Sequence, residues 1–97
     1  MKNIYEINAF LEESGKIMEF HLSISAPLLN VDGEDFYCKV LCPALFENEK
    51  EIYGVDEAQA KELVVEFVIR VLRERQLLDK NGKLIDFENS LRALLDS

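Results

Sequence analysis

The stretch from Lys16 to Ala26 constrains the fold more than any other segment. Met18, Phe20, Leu22, Ile24 and Ala26 fall on one side, and Ile17, Glu19, His21, Ser23 and Ser25 on the other. A period of two is that of a strand with one buried and one solvated face. Pro27 has no N–H to continue a ladder and closes the segment. The buried face needs a covering layer, and 97 residues suffice for one sheet-plus-helix core but not for two. Residues 1–97 therefore read as a single domain.

Three further segments read as strands. Residues 3–12 place Tyr5, Ile7, Ala9 and Leu11 on an inner face, and Glu13-Ser14-Gly15 is short enough to turn them into the next strand. Residues 35–42 alternate Phe36, Cys38, Val40 and Cys42 with Tyr37, Lys39 and Leu41, and Pro43 stops them. Residues 50–55 form a short fourth strand. The intervening residues 28–34 and 44–49 read as loops, the first with an Asp-Gly turn.

A helix over 56–76 follows. Asp56 is a good N-cap, and Gln59 three positions on completes capping-box spacing. Val55 and Ala60 have the spacing of a hydrophobic staple. The apolar stripe runs Ala60, Leu63, Val64, Phe67, Val68, Val71 and Leu72, widened by Val65 and Ile69, and Glu66 pairs with Arg70 one turn on. Asp79-Lys80-Asn81-Gly82 breaks the helix, and Asp86 caps a short last helix with Phe87, Leu91, Leu94 and Leu95 on one face. The predicted fold is α+β: a four-stranded antiparallel meander packed against one long helix, with a short C-terminal helix. Phe20, Leu22, Cys38, Val40, Leu63 and Phe67 form its expected core.

Nineteen acids against eleven bases give a net charge of −8. Such a surface repels phosphate, which argues against nucleic acid and anionic membranes as partners and suits a basic protein. Residues 1–55 carry −6 of that charge, and all four arginines lie beyond them. The first residues contain no apolar signal segment, and no apolar run approaches a membrane span, so a cytoplasmic location is expected. Cys38 and Cys42, four apart on a strand, lie about 13 Å from each other, too far for a bridge. Both are expected as buried, reduced thiols. One histidine and two separated cysteines make no zinc site, and Asp79, Asn81 and Glu88 lack the leading carboxylate of a calcium loop. His21 has no nucleophile or oxyanion hole marked beside it. The chain reads as a non-enzyme without cofactor or metal.

In an up-down meander the loop 28–34 and the start of the helix share one end of the sheet. The hairpin Glu12–Gly15 and the segment Glu47–Lys50 share the other, where Arg73 and Arg75 bring neutralising charge. The acids left without basic neighbours are Asp32, Glu34, Asp35 and Glu57, and these are the expected partner contacts. Glu19, His21 and Tyr37 on the wet sheet face are the expected less charged centre of that contact.

The segment Ile52-Tyr53-Gly54-Val55-Asp56-Glu57-Ala58-Gln59-Ala60, with the apolar helix behind it, resembles a small uncharacterised bacterial α+β family with a Gly-x-Asp-x-x-Gln-Ala strand-to-helix step. Tyr37-Cys38 followed by Pro43 fits the same pattern, over roughly residues 16–76. The chain departs from it by lacking tryptophan and by its short, charged last helix. The resemblance implies an antiparallel sheet with a packed helix and carries over no catalytic residue. Small acidic proteins of this architecture are similar to bacterial immunity proteins. By that analogy the chain is an immunity protein that binds and neutralises a cognate basic toxin domain of nuclease type, as monomer or homodimer. The reading from a different class is a small accessory or structural domain with no charged partner.

Overall fold

The structure, a computed structural model, describes residues 2–96. Strand β1 (Asn3–Glu13) turns directly into β2 (Lys16–Ser25). Ser14 and Gly15 both have positive φ, 53° and 77°. That is the two-residue turn whose twist matches paired strands, and Glu13 pairs with Lys16 across it. Strands β4 (Phe36–Leu41) and β5 (Lys50–Gly54) continue the meander. Helix α1 (Glu57–Leu72) packs against β4 and β5, and α2 (Phe87–Arg92) with a 3-10 turn at Ala93–Asp96 packs against α1.

The expected meander β1-β2-β4-β5 is present, but the sheet has six strands rather than four. Strand β3 (Leu28–Leu29) arises where a loop was expected. The ladder between β2 and β4 runs through Ser23↔Leu41 and Ile24↔Val40, then resumes with a shifted register at Leu28↔Tyr37 and Leu29↔Phe36. Pro27 forces the break. Ser25 Oγ bridges it by accepting from Lys39 N at 2.8 Å and donating to Ala26 O at 3.0 Å.

The sixth strand, β6 (Gln76–Leu78), replaces the expected last turn of the helix. It lies along β1, with Leu77 opposite Leu11, and both are almost fully buried. Burying Leu77 and pairing Phe10–Glu12 of β1 outweigh one more helical turn of polar residues.

The register sorts the faces. Ile7, Ala9 and Leu11 of β1 oppose Leu22, Phe20 and Met18 of β2 on the side facing α1. Val40 and Cys38 share that side. Phe20, Leu22, Ile24, Cys38 and Val40 are buried there as expected. The helix is rotated relative to the expected stripe. Ala60, Val64, Val65, Val68, Ile69 and Leu72 are buried, whereas Leu63 is 41% exposed and Phe67 only half-buried, stacked on Phe46 at 5.9 Å. Leu91 of α2, fully buried, draws the apolar arc round toward a second layer. Arg92 of α2 also takes Glu66 at 2.8 Å, so the Glu66–Arg70 pair gives way to a contact between helices.

Candidate functional site: the acidic end of the sheet

Pairing of Phe36 with Gly54 places the start of β4 beside the end of β5. The acidic loop before β4 and the first turn of α1 therefore meet at one end of the molecule. The loop is tied by its own polar groups. Asn30 N donates to Asp35 O and Asn30 Nδ2 to Asp35 Oδ1, both at 2.8 Å. Asn30 Oδ1 accepts from Val31 N at 2.8 Å, and Asp32 Oδ1 from Glu34 N at 2.9 Å. Short side chains that capture nearby N–H groups fix such turns. Asp32 and Glu34 stand exposed, whereas Asp35 is half-buried as part of the turn.

Glu57 is exposed in the first turn of α1, where its charge complements the helix dipole. Asp56 caps that turn, accepting from Gln59 N at 2.7 Å, and Gln59 Oε1 reaches back to Val55 N at 2.7 Å. The Asp56 half of the capping box is thus formed, while Gln59 accepts from Val55 N, one residue before the cap, rather than from Asp56 N. The hydrophobic staple is not formed, because Val55 points to solvent at 70% exposure while Ala60 is buried.

The ion pairs among the described residues are Lys39–Glu49, Arg73–Glu88, Arg75–Glu13, Arg92–Glu66 and Arg92–Glu88. None involves Asp32, Glu34, Asp35 or Glu57. Lys61 stands one helical turn beyond Glu57, the basic residue of this helix nearest to it in sequence. At the hairpin end, Arg75 Nη1 meets Glu13 Oε1 at 2.8 Å. The helix thus brings Arg75 to the hairpin end, as expected. The segment Glu47–Lys50 does not share that end: Lys50 pairs with Val40 and Val40 with Ile24, about 25 Å of strand from the turn, because β4 pairs only with the far end of β2.

On the face away from α1, Tyr37 and Tyr53 oppose each other with ring centroids 5.3 Å apart. Tyr53 OH donates to Glu51 Oε1 at 2.9 Å. That hydrogen bond, with the negative charge of Glu51 and Asp35 nearby, pushes the Tyr53 phenol above its ordinary range. Leu29, Val31 and Val55 are exposed apolar residues at this same end. Apolar side chains in an acidic rim are what a protein-binding surface presents.

Glu19 and His21 lie elsewhere. Both are on the wet face of β2, with His21 Nδ1 donating to Asn8 Oδ1 at 2.7 Å across the hairpin. Tyr37 pairs with Leu28, seven positions further along the chain than His21, so roughly 20 Å of strand separates them. The structure brings Asp32, Glu34, Asp35, Glu57 and Tyr37 together and leaves Glu19 and His21 outside. Glu51, one of the acids legible as a docking surface, belongs to the site through its bond to Tyr53, and Tyr53 itself escapes a reading of single strands. Pairing residues 35–42 with 50–55 about their loop was the signal that would have found it.

Cys38 and Cys42 are free, buried thiols. Burial pushes Cys38 up to about 11 and raises Cys42 in the same direction. Among the described residues no group of His, Cys, Asp and Glu has the geometry to hold a metal ion, and no helix is long and apolar enough to cross a membrane. Comparison of the chain with protein-family models, with curated proteins and with solved structures finds no match.

Proposed function

We propose that this chain is a protein-binding module that seats a basic partner on its acidic end, and that the partner is a bacterial toxin domain which the binding neutralises. One observation carries the reading. Asp32, Glu34, Asp35 and Glu57 gather at one end without an ion pair among the described residues, while Arg75 and Arg92 are paired with carboxylates elsewhere. An unbalanced negative end steers a basic partner into place and accelerates encounter. Tyr37 and Tyr53 supply the aromatic area that such contacts use as anchors. A nuclease is the toxin class whose own active site must be basic to hold phosphate.

The test replaces Glu34 and Glu57 by Lys, sparing Asp35, which holds the loop. Association with a basic nuclease-type toxin domain from the same host is then measured at low and high salt. Binding that slows roughly tenfold at low salt, with the difference shrinking at high salt, is the expected result. An unchanged association rate overturns the assignment of this end. Absence of any toxin partner favours an accessory domain without a charged partner.

A further inference from the structure

Strand β2 is paired with β1 along its whole length, but with β4 only at Ser23 and Ile24. Beyond Leu41 the chain turns away, because Pro43 cannot continue the ladder. The two-residue turn makes Glu13 and Lys16 a hydrogen-bonded pair, and alternation then points Met18, Phe20 and Leu22 at β1. The N–H and C=O groups of Ile17, Glu19 and His21 face the other way. Among the described residues no backbone hydrogen bond reaches them from that side. A groove of about 770 Å³ opens here over both strands of the hairpin, lined by Glu19 and His21 of β2 and Asn8 and Phe10 of β1, together with Pro43, Ala44 and Lys80.

We propose that this unpaired stretch of β2 accepts an extended segment of another protein as an added strand, and that the segment alternates apolar with basic residues. An unpaired row of N–H and C=O groups is a template for strand addition. The added strand would set alternate side chains on the two faces of the sheet. On one they meet Met18, 42% exposed beside the buried Phe20, which calls for apolar groups. On the other they meet Glu19, an exposed carboxylate in no ion pair among those described, which calls for a cation. Lys80 lines the same groove from beyond β1, and it makes no ion pair with Glu19 among the described residues.

A second copy of the chain fits the edge poorly. A two-fold axis at Glu19 sets the two Glu19 carboxylates directly opposite each other. An axis at Phe20 sets Glu19 against His21 of the copy, but it carries Ile17 of the copy to the place beside Ser23 that Leu41 already holds. An axis at Met18 leaves the outward groups of His21 facing the turn at Gly15.

The test uses the capped peptide Lys-Val-Lys-Val-Lys-Val-Lys and amide hydrogen exchange followed residue by residue. In the free protein the amides of Ile17, Glu19 and His21 exchange fast while those of Met18, Phe20 and Leu22 are protected. Saturating peptide slows the first three by roughly tenfold or more, and the Asp-for-Lys peptide does not. Glu19→Lys weakens peptide binding roughly tenfold with β2 otherwise intact. Glu19→Pro, which removes one outward N–H, abolishes it. Glu34→Lys leaves it unchanged, because the acidic end lies elsewhere. Equal protection of all six amides in the free protein overturns the open edge. Slowing with protein concentration alone overturns the foreign strand in favour of a second copy, and no slowing by either peptide overturns docking altogether.

Discussion

A Cβ placed on Gly54 would lie 2.4 Å from the backbone nitrogen of Ala60. No glycine-specific torsion is involved; the first turn of α1 simply lies against β5 with nothing between. Gly54→Ala must push the helix off the sheet, and a loss of about 2–4 kcal/mol in urea unfolding is expected. Gly33→Ala is the control. A Cβ there meets nothing, so only its φ of +76° opposes the change, at about 1 kcal/mol.

The rotation of α1 is testable by a pair of truncations. Ile69→Ala should cost about 2–5 kcal/mol, because the side chain is fully buried. Leu63→Ala should cost less than about 1 kcal/mol. Similar losses at the two positions would return Leu63 to the core.

The thiols make stability fall at alkaline pH. In the unfolded chain a cysteine loses its proton near 9.0, while buried Cys38 holds it to about 11. Between those values the unfolded state binds fewer protons, so each pH unit removes up to ~1.4 kcal/mol of stability. Below that window the group contributes no pH dependence. Unfolding midpoints from pH 7 to 10.5, compared with Cys38→Ala, read this directly, and the wild type should show the steeper decline. Thiol reagents should label the native protein only as fast as it opens.

Tyr53 should titrate above the ordinary tyrosine range in an ultraviolet difference titration. Its hydrogen bond to Glu51 favours the protonated phenol, and the adjacent carboxylates disfavour the phenolate. Glu51→Gln should lower the midpoint toward about 10. No change would separate the two side chains in solution.

The acidic loop should distinguish its members by role. Asp35→Ala removes the acceptor of Asn30 Nδ2 and should cost about 1 kcal/mol. Glu34→Lys makes no comparable break and should stay within about 0.5 kcal/mol in thermal unfolding.

Where the fold was legible, period and punctuation agreed. The alternation at Phe20, Leu22 and Ile24, the prolines at 27 and 43, and the Asp56–Gln59 cap each name a local structure that tertiary packing then respects. Strand β6 was hidden because Arg73-Glu74-Arg75-Gln76 contains neither Gly nor Pro to end a helix, and its apolar pair is too short to show a period. The widening by Val65 and Ile69 announced a second covering layer, which Leu91 of α2 supplies; how far that layer turns Leu63 and Phe67 outward is what a single-helix pattern does not encode. At the site, loop charge and wet-face position were legible. Distance along the sheet was not, since Glu19 and Tyr37 are equivalent in alternation and differ only in where each strand is paired.

Strand β1 is fastened by residues that lie far along the chain. Arg75 binds Glu13 across 62 positions, and Tyr5 OH meets Ser90 Oγ across 85. During synthesis the β1–β2 hairpin can close early, but Phe10–Glu12 of β1 stay unguarded until Gln76–Leu78 have left the ribosome. A chain cut short before Gln76 would therefore bare a second unpaired row beside Phe10, Leu11 and Glu12, and nascent chains of this protein would be most prone to associate with one another at that stage.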